Sequence, residues 1–408
     1  MILIKKFENS KLFINYKEFL ENFVLYFAMF PYVSFGILPY DSQPYAFIAA
    51  ILYFTFYRKV FDRNLLLLWV VFLVLWVILT ISQISNLDFT LSVRALISYS
   101  IFFLVWIVSY HIHLYRNPLK HYLIGTWIYI SYGFLQSIGF KFLDWMSAHR
   151  TTGNRGVNSF TAEPTYFGII LFFLAWILYL SFQKYKTVPG EKNKIFIFFV
   201  YFTLFAQISS IFLLAKSAMV ILWLFLVATY SIIFLLNIRL IFSIIITVLL
   251  VYLYIILNFE TVETTRAWQL FYNLWMVGLV EIVYMDWSVN GRVASIIFPF
   301  WGIFENGGLP GGFQTFGDLS SKLIIETNYY FWAATTNHKV WSFIGAFAYE
   351  FGIIGIFFLY SIMHIAVIDY NWKVREIILL FILLISCVPL GIGLVPLLIG
   401  SKITGRKN

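Results

Sequence analysis

Residues 155–168 of this 408-residue chain combine side chains that could bind an anion and move a proton. They read RGVNSFTAEPTYFG and place Arg155 and Glu163 ahead of an apolar run. A guanidinium group binds phosphate oxygens bidentately, and a carboxylate can accept a proton from a hydroxyl group. Taken alone, both have simpler interpretations. Arg155 could contact a lipid headgroup, and Glu163 before Pro164 suits a helix start, where a carboxylate stabilises by roughly 0.3–1 kcal/mol.

Three further polar residues stand at the ends of apolar runs, where they could contribute to the same site. Lys216 lies at a tip between two runs, Arg292 precedes the glycine-rich segment 307–317, and His338 precedes another run. Lys216 could add a point charge to an anion site or simply extend to water, and His338 could accept a proton. The segment 307–317 is no phosphate-binding loop, because it lacks the Gly-Lys-Ser/Thr ending. We expect it to be a tightly packed loop.

Glu350 lies about three turns inside the apolar run that follows His338. An acid inside a membrane span is costly and is by default a candidate for function. The alternative, a hydrogen-bond anchor between helices, fits the sequence equally well.

Neither a metal nor another cofactor is predicted. His111 and His113, with His121 nearby, lie in a basic connection without an acidic or cysteine partner in sequence. No Asp-x-Asp pair occurs in the expected outer segments either, so we expect any reaction to be metal-independent. The single cysteine, Cys387, provides no disulfide framework.

The elements that must position these residues are predicted to be membrane-spanning helices. Hydrophobic residues make up 61% of the chain and charged residues only 12%, whereas a soluble domain carries roughly 25% charged residues. The apolar residues form runs of the length that crosses a bilayer. We therefore predict an all-α polytopic integral membrane protein of about eleven (10–12) transmembrane helices, a single transmembrane domain over residues 1–408. The expected spans lie near 19–38, 42–57, 64–84, 94–112, 121–140, 164–183, 195–214, 218–236, 240–258, 339–365 and 376–400.

Basic residues indicate the orientation of these spans. With the N-terminus in the cytoplasm, the inner connections contain Arg58, Arg116, Lys184, Arg239 and Lys373, as the positive-inside rule expects. The net charge of +9 then reflects orientation and contact with anionic lipid, not nucleic-acid binding.

The C-terminal end departs from this pattern. Eleven crossings would place Lys402, Arg406 and Lys407 outside, against the rule. Either the tail is an exception, or Pro389 and Gly391 mark a break in the last run.

Two outer connections are longer than the others, 141–163 and 259–338. The second is rich in aromatic residues, among them Trp268, Trp275 and Trp301. Tryptophan favours the headgroup level of a bilayer, so we expect this large outer loop to carry interfacial helices.

Four segments together resemble the motifs of the bacterial O-antigen polymerases, within the O-antigen ligase and polymerase superfamily. Residues 155–168 resemble the signature in which Arg-Gly is followed by phenylalanine and then by Glu-Pro-Ser/Thr and glycine. Lys216 followed by Ser217 resembles the short tip two spans later, and Arg292 resembles the arginine of the large outer loop. Residues 350–355, which read EFGIIG, are similar to the span after that loop. The matches keep the family order over about 150–360.

This resemblance implies a membrane glycosyltransferase of surface-polysaccharide (lipopolysaccharide) biosynthesis in the bacterial plasma (inner) membrane. It would join undecaprenyl-diphosphate-linked oligosaccharides at the outer face, with no cofactor, beside a flippase and a chain-length regulator. Arg155 and Arg292 would hold the diphosphate and Lys216 would add charge. Glu163 or His338 would take the proton of the acceptor hydroxyl, with Glu163 favoured.

The related O-antigen ligases, which transfer glycan to a lipid acceptor, are the closest alternative. A transporter or flippase for lipid-linked sugars is a second alternative. It would predict internal repeats and charges spread along the spans, whereas here the polar groups gather on one expected side. A non-catalytic scaffold fits less well with outer loops that pair arginine with acid.

Overall fold

The computed structural model describes residues 11–34, 42–57, 62–83, 88–147, 156–187, 193–235, 249 and 266–402. All regular structure within these ranges is helical and includes no strand, as the sequence predicts. The helices are α1 (Lys11–Met29), α2 (Tyr45–Phe56), α3 (Arg63–Ser82), α4 (Phe89–Tyr115), α5 (Leu119–Ser137), α6 (Pro164–Thr187), α7 (Lys194–Ser210), α8 (Ala218–Leu235), α9 (Arg266–Val277), α10 (Leu279–Met285), α11 (Trp287–Glu305), α12 (Phe316–Glu326), α13 (Phe343–Phe351), α14 (Ile353–Ile368), α15 (Val374–Ile385) and α16 (Leu394–Ser401).

Four of these helices are long and apolar enough to cross a membrane by their length and composition. They are α3, α4, α6, and α7 extended to Ala215. Three shorter apolar helices fall at expected spans, namely α2, α14 and the Ala218–Ser231 part of α8. The expected span 240–258 lies almost wholly outside the described residues, and the count of about eleven stays a prediction.

Helix starts follow ordinary capping rules. The carboxylate of Asp62 accepts hydrogen bonds from two backbone N–H groups of α3, and Asp88 does the same for α4. The Asn193 side chain caps α7 in the same way. Such caps satisfy donors that have no partner within the helix, which is why each helix begins at that residue.

The centre of the bundle is formed by α4, α6 and α16. In the most apolar window of α6, 72% of the residues are buried, against 11% for α3. Every residue of α16 is buried, and this helix packs against both α4 and α6. The apolar face of α3 therefore lies at the periphery, where a bilayer would cover it.

The expected span 376–400 is not one helix. It consists of α15 and α16, separated by a break at 386–393. The indole of Trp372, just before α15, donates a hydrogen bond to the carbonyl of Ile399 at 3.0 Å. The ammonium group of Lys402 pairs with the carboxylate of Glu376. The start of α15 and the end of α16 thus lie side by side, so the segment is a helical hairpin.

The run of α16 along α4 fixes the direction of this hairpin. Gly391, at its tip, lies beside Ser98. Four residues before the end of α16, the carbonyl of Leu397 accepts a hydrogen bond from Ser109 at 2.9 Å. The end of α16 therefore lies towards the C-terminal end of α4, on the same side of the bundle as the start of α15.

The expected span 339–365 is also interrupted. Helix α13 ends at Gly352, where φ is +59° and a Cβ atom would lie 2.5 Å from the carbonyl oxygen of Gly308. The N–H groups of Gly311 and Gly312 donate to the carbonyls of Tyr349 and Glu350 at 2.9 and 3.1 Å. The glycine-rich segment 307–317 is therefore a packed cap for α13, as expected of a tight loop.

The expected large outer loop 259–338 contains α9 to α12, which lie between Arg266 and Glu326. Helices were expected there, and their placement at a membrane interface stays a prediction. In the loop 141–163, a 3-10 turn covers Asp144–Met146. Residues 148–155 lie outside the described part of the chain.

Candidate functional site

Glu163 stands immediately before α6 in a segment that is fixed to the protein core. Its carbonyl oxygen accepts hydrogen bonds from Phe167 N at 3.2 Å and Thr161 Oγ1 at 2.8 Å. Ser159, with φ at +50°, bonds through its N–H to the Gln136 side chain at 2.6 Å and through its hydroxyl to a carbonyl of α5. These contacts fix the backbone of Glu163 at the N-terminal end of α6, and its side chain is half-buried there. The helix-start interpretation and a functional one are both compatible with this position.

Lys216 lies beside this segment. Helix α7 ends in a π-helical turn, Ile211–Ala215, and Lys216 follows in the left-handed conformation at φ +48°. The Val157 N–H donates to the carbonyl of Leu214 at 2.9 Å, and a Cβ atom on Gly156 would lie only 2.1 Å from the same oxygen. Single π turns inside helices are frequent at functional sites.

Ser217, the next residue, is 5% exposed, and its hydroxyl has no hydrogen-bond partner among the described residues. A Cβ atom on Gly168 of α6 would be 3.4 Å from the Ser217 Cβ. A buried hydroxyl without a partner is uncommon and calls for an explanation. The closeness of Gly168 to Ser217, together with the hydrogen bond from Val157 to Leu214, shows that the segment 156–168 contacts the tip that contains Lys216 and Ser217.

Arg292 joins this group from the large outer loop. Its Nη2 donates a hydrogen bond to Thr165 Oγ1 at 3.1 Å, across 127 positions of sequence. Helix α11, which carries Arg292, is capped by Asp286. The buried side chain of Asn290 bonds to the backbone of Tyr330 and Ala333 at 2.7 and 3.0 Å. The arginine therefore projects from a firmly held helix onto the first turn of α6.

Cys387, in the break between α15 and α16, lies near this cluster. Its thiol is 7% exposed and is within electrostatic range of both Arg292 and Glu163. Three distant parts of the chain thus approach one another. They are the start of α6, the large outer loop and the break of the C-terminal hairpin.

The other two expected site residues lie in a different cleft. His338 and Glu350 line it together with Arg94 and Lys339. The Glu350 carboxylate is 9% exposed and accepts a hydrogen bond from the Tyr99 hydroxyl at 2.6 Å. Glu350 therefore does anchor two helices to each other, and it also lines a cavity. Pro389, Leu390 and Gly391 form another wall of this cleft.

The remaining expected residue, Arg155, lies outside the described part of the chain, as does Arg150. Among the described residues, no group of three or more His, Cys, Asp and Glu side chains could hold a metal ion. The three histidines near the connection between α4 and α5 contact separate partners. His111 lies 3.6 Å from Glu21, His113 bonds to Tyr122, and His121 bonds to Tyr26.

Two participants in the cluster were not singled out from the sequence. Thr165 lies within the motif but was not distinguished from its neighbours there. No feature of the sequence marks Cys387 as part of a site. Only the nearby Pro389 and Gly391 indicate the break in the helical run in which it lies. The polar residue Arg94, at the start of an expected span, could have been found as a charge inside an apolar run.

Comparison of the chain with known protein families, with characterised proteins and with solved structures found no match.

Proposed function

We propose that the chain is a surface-polysaccharide polymerase of the O-antigen type. It would join undecaprenyl-diphosphate-linked oligosaccharide units at the outer face of the bacterial plasma membrane. The single observation that carries the proposal is the hydrogen bond from Arg292 to Thr165. It places the arginine of the large loop against the Glu-Pro-Thr motif, which lies 127 positions away in sequence. Convergence of motif segments is what a shared site requires.

The proposed reaction is a glycosyl transfer. The bond between C1 of the donor sugar and the diphosphate oxygen breaks, and the acceptor hydroxyl oxygen bonds to C1. The electron pair stays on the departing diphosphate, and the hydroxyl proton passes to a base. Arg292, and Arg155 by motif, would bind the diphosphate where negative charge develops, so they act mainly in the transition state. Lys216, from the adjacent tip, would add a point charge.

Glu163 is the proposed base. It is half-buried, and it lies two residues before Thr165, the hydrogen-bond partner of Arg292. A carboxylate beside an arginine that holds the leaving diphosphate is suitably placed to accept the proton of an attacking hydroxyl. His338, the alternative base, lines the cleft that contains Glu350.

The proposed topology follows from the positive-inside rule and the hairpin. With the N-terminus in the cytoplasm and the expected spans up to 339–365 crossing, about ten crossings bring the chain back inside. Helices α15 and α16 would then enter from the cytoplasmic side and return to it. Lys402 would lie inside, beside Glu376. The tail would no longer depart from the rule.

A deletion strain tests the function through the glycan that accumulates. Loss of a polymerase should leave surface lipid that carries a single repeat unit, because the ligase still transfers it. Long chains stranded on undecaprenyl diphosphate would instead identify a ligase. Repeat units retained inside the cell would identify a flippase. The measurement is a gel of surface glycan beside extracted polyprenyl-linked glycan, with the wild-type gene restored as control.

A further inference from the structure

Lys216 stands at a helix end where glycine is the usual residue. Its φ is +48°, and its N–H donates to the carbonyl of Ile211 at 3.0 Å, so it closes the π-helical turn in the left-handed conformation. Many helices end in a residue of this conformation, mostly glycine and sometimes asparagine, because a Cβ atom crowds the backbone there. A lysine at this position is therefore strained, and strained residues cluster at functional sites.

No contact of the Lys216 side chain compensates for this strain within the part of the chain that the structure describes. The side chain is exposed, and its ammonium group makes no ion pair and no hydrogen bond with a described residue. An ammonium group carries three N–H donors. All three are left for a ligand.

The tip that contains Lys216 is seated on the motif segment through close backbone contacts. The Val157 N–H donates to the carbonyl of Leu214 at 2.9 Å. A Cβ atom on Gly156 would lie 2.1 Å and 2.3 Å from the carbonyl oxygens of Leu214 and Ala215. The last carbonyl groups of a helix have no partner within it, and the motif segment supplies one here. Such a close approach of two backbones requires a glycine.

On its other side, the tip rests on α6. A Cβ atom on Gly168 would lie 3.4 Å from the Ser217 Cβ atom. Gly168 follows Thr165 by three positions, and residues three apart lie on one face of a helix, here separated by about 4.5 Å along its axis. Thr165 is the residue that accepts the hydrogen bond from Arg292. The lysine tip and Arg292 therefore contact the same face of α6, within one turn of each other.

We propose that the π-helical turn and Gly156 form a positioning device for Lys216, so that its ammonium group and Arg292 serve the same diphosphate. The inference rests on the proposed function, in which Lys216 adds a point charge to the site. It assigns to Gly156 a role that the motif alone does not explain. Gly156 acts through Lys216, because a fixed backbone places the charge before the substrate arrives, as electrostatic stabilisation of a transition state requires.

Substitutions that relieve the strain test the role of the lysine. Asparagine and glycine adopt the left-handed conformation more readily than lysine does. We therefore expect Lys216→Asn and Lys216→Gly to melt no lower than the wild type in detergent, while turnover of lipid-linked repeat units falls at least about tenfold. A purely structural residue would not separate the two measurements in this way. Wild-type turnover in Lys216→Asn, or lower melting temperatures of both variants, would overturn the inference.

A double-mutant cycle tests whether Gly156 acts through Lys216. Gly156→Ala should lower turnover, because its Cβ atom cannot fit against the carbonyl groups of the π-helical turn. In the Lys216→Asn background the same change should have no further effect, since the residue that it positions is absent. Gly125→Ala is the matched control and should keep wild-type turnover. Gly125 is buried in α5, and its Cβ atom would meet only the flexible end of Met29 within 3.4 Å.

Losses that multiply in the double variant would mean that Gly156 acts on the fold and not through Lys216, which would refute the positioning role. Wild-type turnover in Gly156→Ala would refute it as well. The Lys216→Asn measurement still decides the role of the lysine where Gly156→Ala does not accumulate in the membrane. A wild-type chain without any turnover would refute the proposed function, and this inference with it. A wild-type chain that polymerises while Lys216→Asn does so equally well would refute the inference alone.

Discussion

Arg292 depends on geometry as well as charge. Its guanidinium donates one hydrogen bond to Thr165 and leaves further N–H groups of the planar fork for a ligand. A lysine would keep the charge but could not meet two phosphate oxygens while also holding the threonine. The Thr165 hydroxyl thereby orients the arginine.

Replacement of Arg292 should therefore impair polymerisation whichever residue is introduced. We expect Arg292→Ala to lower turnover by about 10²–10³, as for the loss of one preorganised electrostatic contact, and Arg292→Lys to be badly impaired as well. Arg155→Lys should behave similarly. The measurement is glycan chain length on a gel at matched membrane level of each variant. Arg63→Ala, at the exposed first position of α3, is the control. Normal polymer from Arg292→Ala would remove this residue from the site.

Glu163 and His338 can be separated as candidate bases. Loss of a general base costs roughly 10²–10⁴ in rate. We therefore expect Glu163→Gln to lower kcat by that factor, because glutamine keeps the size and the hydrogen-bonding capacity of the side chain but cannot accept the proton. His338 lines the other cleft, so His338→Gln should lower kcat far less than Glu163→Gln does. Kinetics with lipid-linked repeat units in detergent would distinguish a fall in kcat from a rise in KM. The reverse pattern would assign the base to His338.

At the scale of elements, composition and periodicity were enough to predict helices but not how two of the runs are divided. The run 376–400 is apolar and long enough to cross, so hydropathy alone predicts one span. It folds back because α16 buries all its residues against α4 and α6, a contact that a one-dimensional pattern does not contain. The break at Gly352 likewise depends on tertiary contacts. The segment 307–317 donates hydrogen bonds to the last carbonyl groups of α13.

The candidate site, too, could be predicted from sequence only as far as one-dimensional patterns allow. Glu163, Lys216 and Arg292 were identified because motif order in sequence was informative. The hydrogen bond of Arg292 to Thr165 and the position of Cys387 depend on how α6, α11 and the hairpin pack. A separation of 127 residues in sequence does not indicate that the Arg292 and Thr165 side chains lie within hydrogen-bond distance.

The hairpin makes a clear prediction for the C-terminal tail. With an impermeant thiol reagent, Asp318→Cys should be labelled in intact cells, whereas Lys192→Cys and Asn408→Cys should be labelled only after permeabilisation. The wild-type chain is the blank, because its one cysteine, Cys387, is buried. Labelling of Asn408→Cys in intact cells would mean that α15 and α16 cross the membrane after all. Labelling of Lys192→Cys but not Asp318→Cys would invert the whole orientation.

At the scale of the whole molecule, polar groups and apolar surface are separated in a way that suits lipid-linked substrates. Arg292 bonds to Thr165 at the start of α6, and Arg94 and Glu350 line a cleft between helices. Around them, apolar side chains such as Val74 and Ile78 on α3 are more than half exposed. A bilayer would cover this surface, and it would also supply substrates with long prenyl chains.

The central claim is most directly tested by reconstitution. The purified chain is placed in lipid vesicles with one substrate, an undecaprenyl-diphosphate-linked single repeat unit, and no other protein. We predict a ladder of polyprenyl-linked oligomers at one-repeat spacing, absent with the Arg292→Ala chain at equal protein level. A ligase would give no ladder without a second lipid acceptor, and a flippase would move the substrate without lengthening it. A wild-type chain that leaves the repeat unit unchanged under these conditions would contradict the account.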